Sequence, residues 1–229
     1  MYKSVLEKVR KEASGINAKN VVTNIVRFHR VQASPGLRQA AEYCERWFRE
    51  NGLVSVEILE FPGDGKQIYW SYRMPQAWSI KDAELRVVSP RGAQGLLCSF
   101  RDLPMSVIQR SAPTPPEGVE AELAVLEDGT EEIDYRGKDV KGKIVLTSGE
   151  IQQVKELAVD KYGALGIITD RMAEFPPIRH RMDVGGALCY TSFWWREGEK
   201  RCFGFVLSPQ EGEKLRKTVK EIERKRRLR

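Results

Sequence analysis

The stretch from Lys138 to Asp170, KDVKGKIVLTSGEIQQVKELAVDKYGALGIITD, decides the fold of this chain because strand-like and helix-like patterns alternate within it. After a charged turn, residues 144–146 form an apolar, β-branched run that is typical of a buried strand. A segment with helical periodicity follows over 151–162, and residues 164–169 have the pattern of a second buried strand. The stretch therefore predicts a β-α-β unit whose helix covers one face of a sheet.

A nucleotide-binding β-α-β unit of the Rossmann type is the alternative that this pattern leaves open. The chain contains neither G-x-G-x-x-G nor G-x-x-x-x-G-K-[ST], which are the glycine-rich loops that hold phosphate groups. Their absence disfavours a nucleotide site.

The same residues resemble the protease-associated domain, whose typical pattern is a D-V-x-G-K-I-V-L strand, a helix with alanine and lysine, and a G-A-x-G-I-I strand. Here DVKGKIVL stands at 139–146, Ala158 and Lys161 lie in the helical segment, and GALGII stands at 163–168, in the same order and at the same spacing. We therefore expect an α+β fold. It would consist of a β-rich swivelling domain of the protease-associated type with one flanking helix, preceded by an N-terminal helical segment and a strand.

The first fifty residues have helical patterns, over 2–13, around 20–28 and from about Pro35 to Glu50. Ser34 is placed as the N-cap of the third helix, with proline at the first helical position. Alternating apolar and polar residues over 54–61 predict a strand. The expected organisation is an N-terminal helical segment over 1–61, a protease-associated domain over 62–212, and a basic C-terminal helix or tail over 213–229.

The N-terminal part is similar to the opening of the co-catalytic zinc aminopeptidase family, in which H-R-x-x-x-S-P-G leads into a helix with A-A-x-Y and then a G-L turn. The matching residues are HRVQASPG at 29–36, AAEY at 40–43 and Gly52-Leu53. In many members of that family a protease-associated domain follows this opening as an insertion. The resemblance thus implies that the relatives of this chain are zinc aminopeptidases.

The chemistry of that family needs two zinc ions, held by His, Asp and Glu ligands that begin with H-x-D, and a glutamate as general base. The chain has two histidines, His29 and His180, and neither begins an H-x-D sequence. We therefore expect no catalytic residue, no metal ligand and no cofactor in this chain, with zinc only in a catalytic domain that the chain lacks.

Six residues are predicted to form an interaction surface, because exposed Trp, Tyr and Arg side chains commonly anchor protein interfaces. They are Arg179, His180, Asp183, Tyr190, Trp194 and Trp195. The family resemblance implies that this surface faces a peptidase domain and the mouth of its active site. The alternative is that Trp194 and Trp195 close the core of their own domain.

The net charge of +6 comes entirely from the C-terminal tail, because residues 214–229 contain nine Lys or Arg against two Glu. Leu215, Val219 and Ile222 have helical spacing, so the tail is predicted to be an amphipathic helix with a solvated basic end. No aromatic residues are interleaved with the charges, and no recognised binding motif accompanies them, which disfavours nucleic acid as a partner.

The four cysteines are widely spaced and form no C-x-x-C motif, so they are predicted to be free thiols. The chain has no pattern of a signal peptide and no apolar run of membrane-spanning length. These features predict a cytoplasmic protein that has no membrane contact.

The sequence as a whole predicts a non-catalytic N-terminal plus protease-associated region of a zinc aminopeptidase-like protein, which contacts a protein or peptide or restricts substrate access. The alternative is part of an active zinc-dependent aminopeptidase whose catalytic domain lies outside this chain. If the N-terminal helices and the 54–61 strand normally belong to a peptidase sheet, they lack the rest of that sheet in this chain, and a homodimer would cover them.

Overall fold

The computed structural model describes residues 2–92, 94–195 and 198–227, and the chain divides into two compact units, 1–79 and 80–229. The described residues form five helices and eight strands, so the predicted α+β class is confirmed. The two units do not coincide with the predicted segments 1–61, 62–212 and 213–229, which rest on composition and on the family resemblance.

The first unit is mainly helical. It contains α1 (Tyr2–Glu12), α2 (Gly15–Ile25), α3 (Pro35–Glu50) and a small antiparallel pair formed by β1 (Ile68–Tyr69) and β2 (Tyr72–Arg73). The predicted start of α3 is confirmed, because Ser34 Oγ accepts a hydrogen bond of 3.3 Å from the backbone N–H of Leu37.

The predicted strand at 54–61 is wrong. Within the described part of the chain this segment joins no sheet, and Ser55 has a φ of +57°, which lies outside the extended region. An alternating pattern becomes a strand only where a neighbouring strand can take up its backbone hydrogen bonds. Among the described residues, no strand pairs with residues 54–61.

The second unit is built on a parallel sheet of four strands. These strands are β5 (Leu123–Val125), β6 (Ile144–Thr147), β7 (Gly166–Thr169) and β8 (Phe203–Val206), and they lie side by side in the order β5-β6-β7-β8. Between β6 and β7 runs α4 (Ile151–Val154), which continues as a π-helix over Lys155–Lys161. The predicted β-α-β unit is thus confirmed, and Gly163, with a φ of +76°, follows the end of its helix.

Each face of this sheet is covered by its own apolar layer. On one face Val145 and Ile167 pack in a cluster with Val154, Ala158 and Val159 of the helix between β6 and β7. On the other face the cluster contains Leu146, Ile168 and Phe205 together with side chains of the hairpin β3 (Glu84–Val87) and β4 (Gly95–Ser99) and of α5 (Pro209–Arg227). Because both faces are covered, β6 and β7 consist of buried residues, which are apolar or glycine except for a threonine at the end of each strand.

Candidate functional site

The loop that follows β7 carries an apolar tip, formed by residues 175–179. Phe175 and Arg179 form an antiparallel bridge, and the backbone N–H of Ile178 donates to the Phe175 carbonyl at 2.7 Å. The Arg179 guanidinium lies 4.8 Å from the centre of the Phe175 ring, and its Nη2 donates to the Ala173 carbonyl at 3.1 Å. Ile178 is 87% exposed. The tip therefore presents apolar side chains from a turn that its own contacts hold in place.

His180 and Asp183 cap the short 3₁₀ turn Arg181–Val184. The Asp183 carboxylate accepts a hydrogen bond of 2.8 Å from the His180 backbone N–H, and His180 Nδ1 accepts one of 3.2 Å from the Met182 backbone N–H. Since Nδ1 accepts, the neutral imidazole carries its proton on Nε2, which lies 3.3 Å from Glu174 Oε1. Both side chains thus shape the loop, while the exposed imidazole edge faces a carboxylate.

The two tryptophans have different surroundings. Trp195 stacks on the fully buried Phe193, with ring centres 4.6 Å apart, and its Nε1 donates to the Arg110 carbonyl at 2.5 Å. Trp194 is 48% exposed, and the Arg110 guanidinium lies 4.5 Å from its ring centre. Trp195 therefore packs against the core, whereas Trp194 exposes its ring and lies against the buried Arg110.

The six predicted surface residues fall into two groups. Arg179, His180 and Asp183 lie on the loop after β7, and the tryptophans lie around Arg110. Tyr190 is more than half exposed on the segment between them. Arg196, the next cation after the tryptophans, lies outside the described residues.

A buried polar cluster that the sequence analysis missed anchors the loop after β7 to the sheet. The fully buried Asp170, directly after β7, accepts hydrogen bonds from Arg216 Nη2 at 2.8 Å, Ser148 Oγ at 2.8 Å and Arg181 Nη2 at 2.9 Å. Arg216 Nη1 also donates to the Leu126 carbonyl at 2.8 Å. We call Ser148, Asp170, Arg181 and Arg216 the Asp170 cluster.

The Asp170 cluster joins four elements at the carboxyl end of the sheet: the ends of β6 and β7, the loop after β7, and α5. The helix approaches so closely that a Cβ added at Gly212 would lie 2.0 Å from Asp170 Oδ2. Arg216 is one of the nine cations counted in the basic tail at 214–229, and the sequence analysis did not predict that it is buried. The sequence signal for this burial was that Arg216 directly follows Leu215, which lies on the apolar face of the helix.

The arrangement of the strands also bears on ligand binding at this end of the sheet. In open parallel sheets, ligands bind in the crevice where the strand order reverses. Here the four strands lie in sequential order, without a reversal, and the Asp170 cluster occupies the carboxyl ends. The cluster is therefore best understood as structural, positioning the candidate surface rather than binding a ligand.

Lys155 is a second buried charge in this unit, with 1% of its side chain exposed. Its Nζ lies 2.8 Å from Asp160 Oδ2 and 3.1 Å from Glu199 Oε2, and 5.5 Å from the centre of the Trp195 ring. Burial lowers the pKa of Lys155, but the hydrogen bonds and charges of the two carboxylates outweigh burial and leave the pKa raised. The charged ammonium thus ties the segment after Trp195 to the helix.

No group of three or more His, Cys, Asp or Glu side chains that could hold a metal ion occurs among the described residues. In the same part of the chain, no helix combines the length and the apolar character needed to cross a membrane. Comparison with protein-family models, with curated proteins and with solved structures found no match in any of the three searches. A function can therefore be inferred only from the chain's own sequence and geometry.

Replacing Asp170 by asparagine should strongly destabilise the second unit. The amide keeps the shape of the side chain but leaves Arg216 without its counter-charge and Arg181 with only the half-exposed Glu213. Breaking a buried ion pair in this way costs about 3–5 kcal/mol. Urea denaturation should show this loss. As a control, Glu213→Gln removes a half-exposed carboxylate 3.9 Å from Arg181 and should cost under about 1 kcal/mol. Similar small losses in both variants would show that the cluster is not required.

Two thiols, the buried Cys202 and the half-buried Cys98, should make the protein sensitive to alkaline pH. Burial raises the pKa of Cys98 and of Cys202 to about 12, whereas an unfolded thiol titrates near pH 8.5. The folded state holds these thiol protons more tightly than the unfolded state does. The stability that the two protonated thiols contribute is therefore complete below about pH 8.5 and is lost as the pH rises towards 12. The free energy of unfolding should therefore fall over this range, and less steeply in a Cys98→Ala, Cys202→Ala double variant. An equal slope in both proteins would contradict this assignment.

Proposed function

We propose that this chain is a non-catalytic interaction module of a zinc aminopeptidase-like protein. Its helical first unit binds a protein partner, and its second unit, of the protease-associated type, contributes to that contact or restricts substrate access. The observation that carries the proposal is the set of uncovered apolar faces on the helices of the first unit.

The clearest of these faces lies on α1. Tyr2, Val5, Leu6 and Val9 have the spacing i, i+3, i+4 and i+7, which places them in one stripe, and all four are exposed. A stripe of this kind is the face that a helix normally buries. No residue of α1 is buried in this structure, so its apolar side lacks a cover.

The other helices of the first unit also bury very few apolar residues. No residue of α2 is buried, and in α3 only Ala40 is buried, while Leu37 and Phe48 stay exposed. Among the described residues of this unit, Val31 and Ala40 are the only buried apolar residues. So small a core contributes little to stability, and contact with another protein would bury the remaining apolar surface.

The candidate surface of the second unit has the composition of an interface. Phe175 and Ile178 of the apolar tip, Tyr190 and Trp194 are exposed, and Arg179 and Arg110 lie against aromatic rings. Aromatic and arginine side chains dominate the binding energy of protein interfaces. The contacts within the loop also hold Phe175 and Arg179 in place before binding, which lowers the entropy lost on association.

The two resemblances supply the kind of protein to which this module belongs. The residues at 139–168 match the protease-associated pattern, and those at 29–53 match the opening of zinc aminopeptidases. A cytoplasmic location and the absence of a cofactor from this chain are part of the same proposal.

The apolar face of α1 can be tested in the purified chain, where only a second copy is present to cover it. Sedimentation velocity should show association that increases with protein concentration. Exchanging Val5 and Val9 for serine should weaken it, because both valines are exposed in the stripe, and valine and serine have similar helix propensities. Glu7→Ser with Lys11→Ser, on the opposite side of α1, is a control that keeps the net charge and should leave association unchanged. A monomer at all concentrations would contradict this use of the face.

The enzymatic alternative makes a separate prediction. An active aminopeptidase would hydrolyse an aminoacyl substrate in the presence of zinc or cobalt and would lose this activity when a chelator is added. We expect no turnover above that of buffer. Robust activity that a chelator abolishes would overturn the non-catalytic assignment.

A further inference from the structure

The second unit contains a cavity of about 220 Å³. Its lining comes from β4, the turn at 102–106, β8 and the first turn of α5, and it is largely apolar, with Leu97, Leu103, Leu188 and Val206. An apolar cavity of about 150 Å³ is known to hold benzene. This cavity is therefore large enough for one small ring or branched alkyl group.

Two carboxylates also line the cavity, those of Asp102 and Glu211. Neither forms an ion pair within the described part of the chain, and Glu211 Oε2 accepts only hydrogen bonds from Ser208, the shorter of them 3.1 Å from its hydroxyl. No Lys or Arg is among the residues that line the cavity. Negative charge at a partly apolar cavity favours a ligand that carries a positive charge.

A buried hydroxyl in the cavity lining points to the same conclusion. Ser106 is fully buried, and within the described residues its Oγ has no hydrogen-bond partner of regular geometry. Burial raises the pKa of the neighbouring Cys98 thiol to about 12, although its contact with the Ser106 hydroxyl opposes this rise. The thiol therefore stays protonated, and a thiol is only a weak hydrogen-bond partner for Ser106. Buried polar groups are nearly always hydrogen-bonded, and a small shift of the cavity lining would let a donor in the cavity become the missing partner.

We propose that this cavity binds a small primary amine that carries a branched alkyl or aromatic group. The ammonium lies at Asp102 and Glu211 and, after a small shift of the lining, donates one N–H to Ser106, and the apolar group packs against Leu97, Leu103 and Val206. The amine site is separate from the interaction surfaces described above, so a result that overturns one leaves the other unaffected.

Ligand-observed saturation-transfer NMR at neutral pH tests the site with three probes: benzylamine, its neutral isostere benzyl alcohol, and methylamine, which lacks the apolar group. Benzylamine should bind saturably, and benzyl alcohol about tenfold more weakly, since it lacks the charge. Methylamine should not saturate at the same concentrations. The preference for the amine should fall with added salt, because Asp102 at the rim is exposed.

Charge variants show whether the carboxylates are responsible. Asp102→Asn combined with Glu211→Gln should reduce the affinity for benzylamine to that for benzyl alcohol. The control, Glu117→Gln with Glu120→Gln, makes the same change in net charge at two exposed residues outside the cavity and should leave both affinities unchanged.

A variant that fills the cavity shows whether the probe binds there. Leu188→Phe, which adds volume at a half-buried position in the lining, should abolish binding while thermal unfolding shows that the protein remains folded. Three results would overturn the proposal: no saturable binding of benzylamine, which would mean that the cavity holds only water; equal affinity in the Asp102 and Glu211 variant; or undiminished binding in folded Leu188→Phe.

Discussion

The second unit depends on the neutralisation of one buried carboxylate. Asp170 follows β7 at a position with no access to water, where an unpaired charge would be too costly to persist. Two guanidinium groups and the Ser148 hydroxyl surround it, and each arrives from a different part of the chain. Removing any of them leaves a buried charge without its full set of partners. The close approach of α5 at Gly212 follows from the same requirement, since the helix must bring Arg216 to the carboxylate.

This constraint also determines where the candidate surface lies. Arg181 belongs to the Asp170 cluster and begins the 3₁₀ turn that His180 and Asp183 cap, so the buried end and the exposed side of the loop are linked through neighbouring residues. The apolar tip is held by its own bridge and by the contact between Arg179 and Phe175. The exposed residues of the loop therefore need not be ordered by a partner, which favours a surface that is formed before binding.

The sequence predicted correctly those helices and strands whose local pattern agrees with the packing of the folded chain. The β-α-β unit follows from continuous apolar runs and a glycine stop, and α3 follows from the Ser34 cap, because these signals lie within a few residues of the structure they specify. Residues 54–61 had the alternation of a strand but no strand to pair with, which a local pattern cannot reveal. Arg216 and Lys155 were missed for a related reason: their carboxylate partners are remote in sequence, apart from Asp160, so only the folded chain shows why they can be buried. The six predicted surface residues lie outside the strands, and the opposite environments of Trp194 and Trp195 depend on Phe193 and Arg110.

The two units reach stability by different means, and this difference bears on function. The second unit buries both faces of its sheet and neutralises the charges that it encloses, so it has the features of a domain that is complete by itself. In the first unit α2 and α3 begin at serine N-caps, but the unit has almost no core, although the apolar residues of α1 recur at the spacing that a packed helix needs. Selection for solubility alone would not maintain a stripe of exposed apolar residues on α1, because polar residues of equal helix propensity would serve equally well. The exposed stripe on α1 is therefore the observation on which the proposed protein contact of the first unit rests.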